Sequence, residues 1–176
     1  MRYPQKFEDL IESLEALPGI GAKTAERLAF FLIDKQNSNT AKKMSECIKD
    51  AAGSITECEI CGMITDKHVC DICSDEAREN KIMVVESSKD ALTFEKTRAY
   101  KGKYHILNGT ISPTNGTGPN DLNIEKLVSR INNEKIDEVI IATSSNIDGE
   151  LTALYIQSCP LSITTKLICI EITNVT

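Results

Sequence analysis

Apolar positions recur at helical spacing in the first fifty residues and as short continuous runs after residue 80, so the chain changes architecture along its length. Phe7, Leu10, Ile11 and Leu14 fall at i, i+3, i+4 and i+7, the stripe of an amphipathic helix. Ala25, Leu28, Ala29, Leu32 and Ile33 repeat that spacing and are expected to pack against the first stripe. Ala41, Met44, Cys47, Ile48 and Ala51 share one face of a third helix, a pattern that reads as core packing. From residue 81 the pattern predicts strands over 81–85, 104–107 and 137–142. Helical stretches fall between them: one carries Ala91, Leu92, Phe94 and Glu95, the next Ile124, Leu127, Val128 and Ile131. Ser87, Ser88 and Asp90 are suited to cap the first of these. Strands alternating with helices imply a parallel sheet covered by helices.

Two features lie between these elements. The turn Leu17-Pro18-Gly19-Ile20-Gly21 runs into Ala22-Lys23-Thr24-Ala25-Glu26-Arg27. Gly19 and Gly21 permit a tight turn and close approach of peptide N–H groups to a ligand. The helix start adds unpaired amides and a positive dipole end, with Lys23, Thr24 and Arg27 as side-chain donors toward the same anion. Cations at this helix end run against the dipole, which favours an anion-binding helix-hairpin-helix over a simple αα-corner. Such a motif grips the DNA backbone without reading sequence. The second feature, a loop over 108–120, is rich in Gly, Pro, Asn and Thr and is too long for a mere connector.

Seven cysteines in a chain with no signal-peptide core read as reduced thiols or metal ligands. Cys58-x2-Cys61 and Cys70-x2-Cys73 form two knuckles that supply four thiolates for one structural zinc ion, with Gly62 easing the turn after the second ligand. Four sulfur ligands leave no open coordination site, so this metal holds a loop and does no catalysis. His68 reads as a loop residue, and Cys159 and Cys169, which lack partner spacing, as core packing.

Charge and length add limits. The net charge is −6, and most of it falls in residues 53–80, which carry two basic and seven acidic side chains. An acidic chain is not a simple basic wrapper of nucleic acid, so DNA contact is expected to be local and shared among subunits. No apolar run is long enough to span a bilayer, and a soluble, cytoplasmic protein is expected. Glu86 ends the first strand where open α/β sheets keep their ligand sites. Asp148 and Glu150 follow a later strand, and the three carboxylates could together hold Mg²⁺. Equally, Asp148 and Glu150 are placed to cap a helix beginning near Leu151.

The order of hairpin motif, four-cysteine finger and Toprim-like α/β unit resembles the bacterial recombination mediator family RecR, over residues 4 to about 157. The resemblance rests on Leu17-Pro18-Gly19-Ile20-Gly21 with Lys23, Thr24 and Arg27, the cysteine quartet, and Val84-Val85-Glu86. It extends through Tyr104-His105-Ile106-Leu107, Ser112-Pro113, Gly118-Pro119-Asn120-Asp121-Leu122 and Asp148-Gly149-Glu150, ending at Thr152-Ala153-Leu154-Tyr155-Ile156. It implies an α+β multi-unit fold: a helix-hairpin-helix DNA-binding unit over 1–53, a four-cysteine zinc finger over 54–78, a Toprim domain with a parallel sheet over 79–165, and a divergent tail over 166–176.

By resemblance the chain is a non-catalytic, ring-forming DNA clamp, a tetramer acting with RecO and RecF to load RecA at single-stranded gaps. Gly19, Gly21, Lys23, Thr24 and Arg27 are then DNA-binding residues, and Glu86, Asp148 and Glu150 a partner-binding face, with Asp148 standing where the family usually has Glu. Lys96, Arg98, Lys101 and Lys103 form a basic cluster that could add phosphate contacts inside a ring, though a solvated helix end is the first reading. The stretch 157–176 has no glycine and departs from the family's glycine-rich segment and closing helix, which bears directly on tetramer closure. The run Leu167-Ile168-Cys169-Ile170 is strand-like and prone to edge pairing. The competing class is a Mg²⁺-dependent Toprim enzyme such as a small nuclease. A topoisomerase is a poor fit, because the four tyrosines have no separate large domain to carry them.

Overall fold

A computed structural model describes residues 3–134, 136–160 and 166–172, and the remainder of the tail lies outside them. The chain divides into two compact units, residues 1–54 and 55–176.

In the first unit, α1 (Gln5–Glu15) and α2 (Ala22–Ile33) form a hairpin, followed by a short 3-10 turn (Lys35–Asn37) and α3 (Ser38–Ser54). The two stripes meet as the spacing predicts: Phe7, Leu14, Ala25 and Ala29 are buried, with Leu10, Ile11, Leu28 and Leu32 packed around them. Alanine at 25 and 29 lets the helices approach closely. Tyr3, Phe7 and Phe30 stack beside this core, with ring centres 4.7 to 5.8 Å apart. Ile33 does not join it and stays exposed.

The reading of Cys47 as core is corrected by α3, in which no residue is buried. Met44, Cys47 and Ile48 form an apolar stripe that stays in solvent. Helical periodicity identifies the stripe but not what covers it.

The second unit opens with the strands β1 (Thr56–Glu57) and β2 (Ile64–Thr65), an antiparallel pair, and a single helical turn, α4 (Asp71–Ser74). Then come β3 (Lys81–Val85), α5 (Ser88–Thr97), β4 (Lys103–Ile106), α6 (Ile124–Asn133), β5 (Glu138–Ser144), α7 (Ile147–Ser158) and β6 (Lys166–Ile172). The four long strands make one parallel sheet in the order β4-β3-β5-β6. Buried Ile82, Val84, Val139 and Ile141 meet Leu127 and Ile131 of α6 and Ile156 of α7, and partly buried Cys159 packs against this core as expected. At the start of the strands Lys81, Glu138 and Lys166 stand in register, with Glu138 3.5 Å from each amine. Such a row penalises a one-residue slip even where solvent weakens each pair.

β6 adds the strand-like run 167–170 to the sheet, pairing with β5 over seven positions, so the sheet continues past residue 165. Cys169 is exposed on it, and the core reading of that residue is also corrected.

The long loop over 108–120 is organised. A bridge joins Ser112 to Thr117, two 3-10 turns follow one another at Pro113–Asn115 and Pro119–Asp121, and Ile111 is buried. Its anchor is Thr152 of α7, whose Oγ1 accepts from the Ile111 amide at 2.8 Å and donates to the Asp148 carbonyl at 2.6 Å.

Candidate metal centre and nucleic-acid interface

In the hairpin turn, Gly19 sits at φ +80°, a conformation that L side chains rarely adopt. Gly21 differs from the expectation: its φ of −92° is ordinary extended backbone. A Cβ at either glycine would meet nothing within 4 Å. Nothing among the described residues therefore requires a bare backbone at Gly21, and the bareness leaves the turn open from outside. Gly21 begins α2 without a side-chain cap, its carbonyl taking the amides of Thr24 and Ala25 at 2.9 and 3.0 Å. Among the described residues, the amides of Ala22 and Lys23 have no partner.

Lys23, Thr24 and Arg27 line one shallow depression with Glu26 and Phe30. Among the described residues, Lys23 and Arg27 form no ion pair, while Glu26 accepts a hydrogen bond from the Tyr3 hydroxyl. Two free cations and two free amides thus share one exposed helix end.

In the second unit, Cys58, Cys61, Cys70 and Cys73 are all buried, and their sulfurs lie within 4.8 Å of one another. The Cys61 and Cys70 sulfurs are 3.6 Å apart, too far for a disulfide. Sulfurs about 2.3 Å from a tetrahedral zinc would stand about 3.8 Å from each other, so the quartet fits that ion. Without metal, Cys73 and Cys70 differ sharply in their hold on a proton. Cys73 is brought down to about 6, chiefly by hydrogen bonding from Cys61 and further by the Arg130 charge. Burial pushes Cys70 up to about 11. Zinc binding must therefore release protons, and zinc retention falls in acid.

The knuckles do not stand apart from the sheet. Their cysteines pack in one cluster with Met83, Val85, Tyr104 and Ile106. The Cys61 carbonyl accepts the Ile106 amide at 2.7 Å, which occupies the free edge of β4. Gly62, at φ +77°, makes this possible: a Cβ there would lie 3.0 Å from the Ile106 carbonyl oxygen and from the Asn123 side-chain nitrogen. His68 points into solvent beside Glu59, 3.1 Å away, outside the quartet as expected.

The carboxylates are arranged differently from a metal triad. Glu86 Oε1 accepts the Ser144 amide at 2.6 Å, tying the end of β3 to that of β5 where the strand order reverses. Helix α7 begins earlier than the sequence suggests, and its cap is Asn146, whose Oδ1 accepts the Gly149 amide at 2.7 Å. Asp148 and Glu150 lie inside its first turn, so the expectation that they cap a helix starting near Leu151 is corrected; they still favour the dipole. Among the described residues, the Cys quartet is the one group of three or more His, Cys, Asp or Glu whose ligand atoms gather within 4.8 Å. Glu86, Asp148 and Glu150 are not brought that close.

Family models match three consecutive segments: the RecR helix-hairpin-helix over residues 7–52, the RecR four-cysteine zinc finger domain over 55–75 and the Toprim domain over 80–169. Recombination protein RecR of Streptococcus thermophilus is 46% identical over 157 residues, covering 89% of this chain and 79% of that protein. The same values hold for strains CNRZ 1066 and LMG 18311. The chain belongs to the RecR family. The quartet is accordingly the zinc site of a RecR finger, and zinc acts there as a cross-link between the two knuckles. No helix among the described residues is long and apolar enough to cross a membrane.

Three residues of this RecR-family chain escape the sequence reading. Arg78 holds Glu95 with both terminal nitrogens and reaches the Gly102 carbonyl at 3.0 Å. Arg130 is buried on α6, one position before Ile131 and three after Leu127 in the apolar stripe, and a charge inside such a stripe is the available signal. His105 is fully buried, its Nε2 2.9 Å from the Asn123 carbonyl and its Nδ1 without a partner. Burial brings its pKa down to about 4 from the usual 6.5.

Because the folded state refuses a proton that the unfolded chain takes, the stability contributed by neutral His105 is complete above about pH 6.5 and is lost as pH falls toward 4. Denaturant titrations of the zinc-loaded protein should lose up to ~1.4 kcal/mol per pH unit across that window from this group. In His105→Gln the extra slope should vanish. An unchanged slope would mean that the ring is protonated in the fold.

Proposed function

We propose that this chain acts in recombinational DNA repair in the cytoplasm as a non-catalytic DNA-binding mediator. It grips DNA through Gly19, Gly21, Lys23, Thr24 and Arg27 and presents Glu86, Asp148 and Glu150 to protein partners. The observation that carries the proposal is the open turn at Gly21, where free amides and two unpaired cations meet with no internal reason for the bare backbone. Contacts of this kind recognise phosphate and give no base readout, which suits a protein that acts wherever a gap occurs.

Membership of the family supports the finer reading: assembly into a ring-like tetramer around DNA, with RecO- and RecF-type proteins as partners in loading RecA. The exposed stripe of Met44, Cys47 and Ile48 supports a contact between copies through α3. On the Toprim side, Asp148 and Glu150 rise among exposed Ile147, Leu151, Leu154 and Tyr155. That mixture suits a partner with basic and apolar groups. Glu86, already engaged with Ser144, contributes to that face by fixing its shape.

Fluorescence anisotropy on a gapped duplex tests the central claim. Lys23→Ala with Arg27→Ala should weaken binding at least tenfold at low salt and reduce the slope of log K against log salt by about 1.8, two phosphates' worth. Unchanged affinity and slope would refute the DNA assignment. Mg²⁺-dependent cleavage that disappears in Glu86→Ala would overturn the non-catalytic reading.

A further inference from the structure

Among the described residues, Arg130 is the one buried side chain with a permanent charge, and its side chain is 5% exposed. Burying a guanidinium is costly unless opposite charge lies near. Two partners hold it. Its Nη1 donates to the Tyr104 carbonyl at 2.9 Å, and its Nε to Glu134 at 3.2 Å. The carbonyl is neutral, and Glu134, at 43% exposure, is shared with solvent. The Glu134 carboxylate pairs with it from the solvent side, where water screens the attraction.

The zinc site has the opposite problem. Four thiolates around one divalent ion carry a net charge of −2, buried with the cysteines. Arg130 is joined to the residues around it in two ways. Tyr104, whose carbonyl it holds, packs in the same cluster as the four cysteines, and α4, which carries Cys73, contacts β4. Glu59 and Ile60, inside the first knuckle, line one cleft together with Arg130 and Glu134.

We propose that Arg130 is the internal counter-charge of the zinc tetrathiolate and governs how firmly the metal is retained. Its bond to the Tyr104 carbonyl sets where the guanidinium lies, and Glu134 draws part of its charge toward solvent. Outer-shell groups of this kind typically change metal affinity by about 10- to 100-fold.

The test is the rate at which the zinc-loaded full chain releases metal to excess chromogenic chelator. Arg130→Gln, which keeps a donor for the Tyr104 carbonyl but no charge, should release zinc about 10- to 100-fold faster. Arg130→Lys, which restores the charge without the fork, should recover most of the retention. Release from Arg130→Gln at the wild-type rate overturns the proposal. So does Arg130→Lys leaking as fast as Arg130→Gln, since packing alone would then be at issue. Should Arg130→Gln fail to accumulate as folded protein, Glu134→Gln decides. Relieved of its solvent-side partner, Arg130 should slow release severalfold, and release as fast as wild type or faster overturns the assignment.

Discussion

Zinc removal is expected to unfold residues 55–176 while residues 1–54 keep their helices. Structural zinc in small finger sites is worth roughly 10–16 kcal/mol of folding free energy at pH 7, as much as the roughly 5–15 kcal/mol that holds a whole domain together. Much of that energy should pass to the sheet here, because the finger and the sheet share one cluster. When the knuckles open, the Cys61 carbonyl leaves the Ile106 amide, the edge of β4 is bared, and Val85, Tyr104 and Ile106 lose their cover. Hydrogen exchange resolved by segment, with and without a strong chelator, is the direct measurement. Protection should collapse over 81–85 and 138–144 as well as over 55–75, and light scattering should rise as exposed edges pair. Cys58→Ser should act in the same direction at ordinary zinc concentrations. If exchange over 81–85 stayed at the zinc-loaded level, the finger would be an attachment to the sheet and not part of its core. The first unit has its own core of Phe7, Leu14, Ala25 and Ala29, contains none of the four zinc ligands, and serves as internal control.

Features encoded in local spacing are legible in the chain directly. The helices of the hairpin, the β3 strand at Lys81–Val85, the Ser87 and Asp90 capping box and the cysteine quartet all lie where periodicity and ligand spacing put them. Each depends on residues close to one another in sequence. Where the reading falls short, the deciding interaction joins distant parts of the chain. Whether Cys47 is core or surface depends on what faces α3, and no pattern within the helix records that. Gly62 and Arg130 derive their meaning from Ile106, Asn123 and Tyr104, many residues away. Glu86 stands out as a charge ending an apolar strand, which is a sound signal. Its observed partner, the Ser144 amide 58 residues on, follows only from the parallel pairing of β3 with β5. Asp148 and Glu150 are a local exception, because Asn146, three residues before Gly149, is a better cap than the acids that follow it.

Gly149→Ala is expected to destabilise the second unit, although alanine in place of glycine within a helix ordinarily stabilises by about 1 kcal/mol. The reason for the reversal is close packing at the end of β5. A Cβ at position 149 would collide with the Ser144 carbonyl oxygen and lie 2.6 Å from its hydroxyl oxygen. The carbonyl is backbone and cannot swing aside. Ser144 is itself fixed through its amide by Glu86, and the first turn of α7 is fixed through Asn146 and through Thr152 to Ile111. Either α7 lifts from the sheet or the Glu86 contact breaks. Overpacking of this kind costs about 1–3 kcal/mol and occasionally more, and with backbone on both sides the upper end is expected after subtracting the helical gain. Thermal melts should show Gly149→Ala several degrees below wild type. Gly53→Ala in α3, where a Cβ meets nothing within 4 Å, should hold steady or rise, which separates packing from propensity. A Gly149→Ala protein as stable as wild type would mean that α7 is not seated on β5 as described. The same displacement would move Asp148, Glu150 and the exposed Leu151 and Tyr155 together. On the function proposed above, binding to a protein partner should weaken in Gly149→Ala while DNA binding, assigned to Lys23 and Arg27 on the other unit, is unchanged.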